Sequence, residues 1–264
     1  PSAVQPHLKT VTGEIMPLES LEITGQIADS LATLELSQVY RNQGSKNIEA
    51  VYTFPLPFDG VLLGLQATIA ERKLEGSVMG KQDAEDGYED AITDGNSAIM
   101  LEQQAPGLYT INLGNLMAGE EAEIKIRYAL PLKWTGDQLR ITFPLTVAPR
   151  YGEPDFGKLK PFAEPECDFV IEYPLSVKLS VYGALAQSSI ISPTHRLSME
   201  PIGDTMEVSL QSGGDHPDRD LVLLLDQAEG STCSLSTQIL ENSQFGHAVF
   251  QLPSNKAQGP IATK

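Results

Sequence analysis

The chain has 264 residues, of which 41% are hydrophobic, and its 35 Asp and Glu against 18 Lys and Arg leave a net charge of −17. At ~150 residues per domain this is one large domain or two ordinary ones, and the balance of hydrophobic and charged residues excludes a disordered chain. Nucleic acids and anionic membranes are held by Lys and Arg neutralising phosphates, so the charge speaks against both and favours cationic partners. The longest unbroken aliphatic run, Leu221 to Leu225, is five residues, whereas a membrane-spanning helix needs ~20. The N-terminus shows no basic flank and apolar h-region, so no signal peptide is visible. Pro1 is what remains when an initiator Met is clipped. With few cysteines and no N-x-[ST] acceptor, these features lead to an expectation of a cytoplasmic protein, or an extracytoplasmic one if a signal peptide has been trimmed.

Strict alternation organises most of the sequence. In Leu31–Tyr40, Ala32, Leu34, Leu36 and Tyr40 share one face, with Thr33, Glu35 and Ser37 on the other. Val61–Ile69 alternates in the same way. Lys81–Thr93 breaks the rule: Ala84, Tyr88, Ala91 and Ile92 fall on one helical stripe, and Gly95 stands where a left-handed C-cap belongs. The opposite face of this predicted helix carries Asp83, Glu85, Asp86, Glu89 and Asp90, and Gly87 weakens it by up to ~1 kcal/mol relative to Ala. Glu121–Leu130 returns to period two, with Ala122, Ile124, Ile126, Tyr128 and Leu130 facing in. Leu139–Val147, Leu175–Val181 and Met206–Leu210 follow suit. Period two with one polar face predicts half-buried antiparallel strands, and the 22 Gly and 18 Pro between short strands predict a sandwich.

Residues 148–166 lack the strand period and hold Pro149, Gly152, Pro154, Gly157, Pro161 and Pro165, which marks a connection. The expected organisation is therefore an all-β chain with one short α-helix: an antiparallel β-sandwich over 1–147, a Pro/Gly-rich connection over 148–166, and a second β-sandwich-like region over 167–264. The connection reads equally as a long loop wrapping one sandwich edge. The two cysteines, Cys167 and Cys233, are too few for a disulfide-stapled scaffold or a cysteine zinc site. Cys233 lies in phase with Leu235 and Ile239 and is expected inside as a thiol, with pairing to Cys167 the alternative.

Catalytic patterns are absent from the sequence. There is no Gly-x-Ser-x-Gly and no phosphate-cradling glycine motif, and His7, His195, His216 and His247 stand far apart. No cofactor is expected. The run Asp215-His216-Pro217-Asp218-Arg219-Asp220 offers clustered oxygens of the kind Ca²⁺ prefers, which makes Asp215, Asp218 and Asp220 candidate metal ligands. Arg219 among them is a poor neighbour for a cation, so a polar turn ahead of Leu221–Leu225 is the simpler reading. On the helix, Asp83, Asp86, Glu89 and Asp90 are candidates for docking a basic partner, against the plainer reading of a solvated face.

Several ordered pieces stand between about residue 15 and 135: Ile69-Ala-Glu-Arg72-Lys-Leu-Glu-Gly76-Ser-Val78, the helix Lys81–Thr93 with Gly95, and Ala98-Ile-Met-Leu101-Glu102. Leu108-Tyr109-Thr110-Ile-Asn-Leu-Gly114-Asn115 and Gly119-Glu120 leading into Ile124-Lys-Ile126-Arg-Tyr128 follow. In this order the pieces resemble a vault protein inter-alpha-trypsin domain. The resemblance implies a β-sandwich with one helix, no catalytic residues, and junctions held by Gly76, Tyr88 and Gly95. Such domains usually precede a von Willebrand type A domain, whose metal motif is Asp-x-Ser-x-Ser. After Asp226 the two serine positions are Ala228 and Gly230, so that segment cannot make the metal site, and no such motif follows before Lys264. The resemblance therefore implies the front of a longer adhesion-like or complex-forming protein, a non-enzymatic protein–protein interaction module with a type A domain downstream and a partner of unknown identity. The alternative is a stand-alone calcium- or glycan-binding β-sandwich.

Overall fold

The computed structural model describes residues 8–10, 15–16, 18–145, 174–211, 219–226, 232–240 and 243–251. The strands begin with β1 (Leu8–Thr10), β2 (Ile15–Met16), β3 (Leu18–Ala28), β4 (Leu31–Arg41), β5 (Ile48–Pro55), β6 (Val61–Ile69) and β7 (Arg72–Glu75). The helix α1 (Lys81–Thr93) comes next, then β8 (Ala98–Ala105), β9 (Leu108–Leu116), β10 (Glu121–Pro131), β11 (Trp134–Thr135) and β12 (Gln138–Phe143). The remaining strands are β13 (Leu175–Val181), β14 (Ser189–Ile191), β15 (Leu197–Ile202), β16 (Thr205–Leu210), β17 (Leu221–Asp226), β18 (Thr232–Leu240) and β19 (Ser243–Gln251). The chain is mostly β, and α1 spans the same residues that helical periodicity picks out.

The period-two runs become the central strands. β4 and β10 pair antiparallel over eleven consecutive positions, from Arg41 opposite Glu121 to Leu31 opposite Pro131. Ala32, Leu34, Leu36 and Tyr40 on one strand, and Ala122, Ile124, Ile126, Tyr128 and Leu130 on the other, are all buried. At ~1.5–3 kcal/mol for each large apolar side chain removed from water, this face drives the association of the sheets. Gln38 lies on the same inward face, is buried, and donates through Nε2 to Tyr52 Oη.

Two large sheets meet at that contact. One has the order β15-β16-β13-β3-β4-β10-β6-β7 and the other β2-β1-β5-β9-β8. Tyr40 packs on Tyr52 at 5.5 Å between ring centroids, Tyr52 on Phe54 at 5.2 Å, and Phe54 on Tyr109 at 5.9 Å. This aromatic row forms the seam of a sandwich. A third sheet, β11-β12-β17-β14, adds Leu139, Ile141, Leu221, Leu223 and Leu225 to the same core cluster.

The expected connection, 148–166, lies outside the described residues, as does Cys167; of Cys233 only its place in β18 is described. The strands on either side of that stretch are hydrogen-bonded to one another. β13 pairs with β3 over seven positions, and β12 with β17 over six. The β13–β3 pairing is parallel, which corrects the expectation of antiparallel strands throughout. Alternation reports which face of a strand is buried and is blind to the direction of its neighbour.

Tyr128 is buried in this core, and burial raises its phenol pKa above the ordinary value. The folded state therefore keeps a proton that the unfolded chain releases near pH ~10, so stability is complete below that pH and falls as pH rises through it. Denaturant midpoints followed into the alkaline range should show this fall, and Tyr128→Phe should make it shallower. An identical slope in the variant would remove Tyr128 as a contributor.

Candidate functional site

The β6–β7 hairpin, the loop after it, α1 and β8 surround an open groove of about 600 Å³. Its first wall is the start of β6, where the register against β10 shifts. Leu62 lies opposite Tyr128 and Gly64 opposite Arg127, so Leu63 has no counterpart. This β-bulge returns Leu62 to the core and turns Leu63 outward, 50% exposed. Met79 at 52% and the fully exposed Val78 extend the apolar lining. Gly76 closes the hairpin: its N–H donates to Leu65 O at 2.8 Å, and a Cβ there would stand 3.1 Å from Leu65 Cβ.

The second wall is α1 against the edge of the smaller sheet. A Cβ on Gly114 would lie 1.9 Å from Ile92 Cδ1 and 2.8 Å from Tyr88 Oη, so the helix rests on β9 only because residue 114 has no side chain. Burial raises the Tyr88 phenol pKa, and the carboxylates of Glu49 and Glu89 push it the same way. The helix end is closed twice. Gly95, at φ +79°, donates to Ile92 O and Asn96 donates to Ala91 O, the paired bonds of a Schellman cap. Asn115, at φ +53°, donates through Nδ2 to Ile92 O and Asn96 O, both at 3.0 Å. Gly76, Tyr88 and Gly95 thus stand at the junctions where they were expected. Gly114 and Asn115 act as supports that helical periodicity does not reveal, although a glycine inside a strand pattern is itself a signal of close backbone approach.

All four acidic candidates on α1 are exposed. At ~100° per residue, Asp83, Asp86 and Asp90 form one ridge with Glu89 beside it, and Ala84 and Gly87 lie between that ridge and the Tyr88–Ile92 stripe. Because Ala84 and Gly87 line the groove, the acid ridge is its outer lip. Asp83 in the first turn suits the helix dipole, but Asp90 and the C-cap Asp94 do not, and no base stands in the last turn. Lys81 pairs with Glu102 and lies 3.9 Å from Glu85. Between Glu71 and Glu102 there are nine carboxylates and three basic residues.

The other candidates are distributed differently. Asp215 and Asp218 lie outside the described residues. Asp220 is buried and accepts a hydrogen bond from Leu145 N–H at 3.3 Å, which ties β17 to the end of β12. Asp226 accepts from Gln138 Nε2 at 2.9 Å. His195 is buried in a turn where its N–H donates to Ser192 Oγ at 3.1 Å. Among the described residues no three His, Cys, Asp or Glu side chains come together as a metal cluster, and no helix is long and apolar enough to cross a membrane.

Residues 18–128 match the vault protein inter-alpha-trypsin domain. The chain is 29% identical over 215 residues to the human protein mono-ADP-ribosyltransferase PARP4, covering 80% of this chain and 12% of that protein. It is 28% identical over 255 residues to human von Willebrand factor A domain-containing protein 5A, covering 91% of this chain and 32% of that protein. It thus spans less than a third of the length of either relative. The solved M1 zinc metallopeptidase from Deinococcus radiodurans is similar at a TM-score of 0.40 and 11% identity, over 99% of this chain and 51% of that one, too slight a likeness to inform function.

Two substitutions separate the seat of the helix from its intrinsic stability. Gly114→Val overfills the contact with Ile92 and Tyr88 and should cost ~1–3 kcal/mol in chemical unfolding. Gly87→Ala adds a Cβ with nothing within 4 Å and should raise stability by up to ~1 kcal/mol. A Gly114→Val protein as stable as the parent would contradict the packing described.

Proposed function

Because this chain belongs, through residues 18–128, to the vault protein inter-alpha-trypsin domain family, we propose that it is a non-enzymatic protein–protein interaction module of a larger adhesion-like or complex-forming protein. One observation carries the proposal: an open apolar groove lies beside an acid ridge that helix stability does not explain. Like charges at i, i+4, such as Asp86 and Asp90, cost a few tenths of a kcal/mol per pair, and a carboxylate in the last turn opposes the dipole. A surface that is locally unfavourable and presents apolar side chains beside it is suited to a partner that brings positive charge and apolar area.

In this reading Asp83, Asp86, Glu89 and Asp90 attract and orient a basic partner, and the groove supplies the apolar contact. Relatives named for a von Willebrand factor A domain support a larger architecture in which a type A domain lies downstream of these residues. The transferase activity in the other relative's name belongs to a protein of which the matched part is 12%, and no transfer chemistry is assigned to this chain.

Replacing Asp83, Asp86, Glu89 and Asp90 together with Asn or Ser should leave stability within ~0.5 kcal/mol of the parent. A basic partner isolated on the parent chain should bind the variant at least ~10-fold more weakly, and its affinity for the parent should fall with added salt. Equal affinity for the two proteins would exclude the ridge as the docking surface.

A further inference from the structure

The edges of the three larger sheets are treated unequally. Exposed strand edges offer unpaired N–H and C=O groups to any passing chain, and proteins ordinarily blunt them by shortness, charge or proline. Here β2 and β11 are two residues long, β14 is three, and β7 is four with Arg72, Lys73 and Glu75 in it. β15 has Pro201 inside it. β8 is neither short nor broken by proline, and its register against β9 is regular up to a shift between Gln103 and Ala105. It runs eight residues, Ala98 to Ala105, pairs among the described residues only with β9, and holds a single charge, Glu102. Its Ile99, Met100 and Leu101 are half-buried and line the groove.

We propose that β8 is a docking edge: an extended segment of a partner protein, alternating apolar and basic residues, adds to it as a further strand within the groove. This rests on the docking role argued above and specifies how the partner is held. Main-chain bonds to β8 would supply affinity for any extended chain, and alternate side chains would choose the occupant. The apolar set meets Leu63, Met79 and Met100. The basic set meets the lip formed by Asp83, Asp86 and Asp90. A second copy of this chain does not suit the site, because it would bring nine carboxylates of the same stretch against the same lip, and like charges in juxtaposition oppose pairing.

The test uses the whole chain and a fluorescein-labelled peptide of about ten residues, alternating Val and Lys, long enough to cover β8. The peptide should bind saturably, weaken with salt, and slow amide exchange over 98–105. N-methylation of alternate peptide amides should cost at least ~10-fold, because it removes strand hydrogen bonds and leaves the charges in place. Gly64→Trp projects an indole from a groove-lining position where nothing lies within 4 Å of a Cβ, and should weaken binding while the melting temperature holds. Binding that ignores N-methylation, or protection that falls outside 98–105, overturns strand addition. The docking role itself would still stand if the four-acid variant lost such binding. Strand addition that the four-acid variant leaves unchanged overturns the acid ridge as the selecting element. Absence of peptide binding, or self-association of the chain through β8, overturns the proposal.

Discussion

Eleven uninterrupted pairs between β4 and β10 are the constraint from which the rest of the molecule follows. Strand side chains alternate with a period of two, so a slip of one residue would send every inward side chain of either strand to solvent. Ile124 and Ile126, Leu34 and Leu36 hold that register by burial. With it held, β3 and β6 take their places beside the pair, Tyr40 meets Tyr52, and the second sheet docks on the aromatic row. The one interruption on the β6 side, the bulge at Leu63, occurs where the strand leaves the core and becomes a wall of the groove.

The groove exists because two elements stop short of each other. α1 is carried on β9 by the absence of a side chain at Gly114, and its last turn is held by Gly95 and Asn115. That seating places Tyr88 and Ile92 on the sheet and leaves Ala84 and Gly87 facing an opening toward β6. A bulkier residue at 114 would lift the helix and change the shape of the opening, so a glycine in one strand decides the geometry of a surface built mostly from other elements.

Electrostatics acts on this frame from outside. The acids of α1 do little for the helix, since only Asp83 is favourably placed along its dipole and no base balances the last turn. They are solvated in the free protein, which limits their mutual repulsion and leaves them available to a cation. The apolar side chains across the groove have no such outlet. Exposed Leu63, Val78 and Met79 gain only when something covers them. The two halves of the site therefore favour the same kind of partner for different reasons, charge for steering and apolar area for retention.

Much of the fold was legible in residue order alone. Leu31–Tyr40 and Glu121–Leu130 announce their buried faces by alternation, Lys81–Thr93 announces a helix by its stripe and Gly95 its end, because these patterns are consequences of local backbone geometry. The acid ridge was legible for the same reason: four residues on one helix keep their spacing wherever the helix goes. Local geometry could not reveal which strands become neighbours. The parallel pairing of β13 with β3, Gln38 turned inward to Tyr52, Asp220 committed to Leu145 N–H and the seating of α1 on Gly114 all depend on residues distant in the chain. Residue order is enough to place the elements and their buried faces, because side-chain periodicity is written into every few residues. Long-range packing alone settles that β8 is an edge among the described residues and that the acid ridge borders an apolar groove, because an edge and a groove are defined by what packing leaves uncovered.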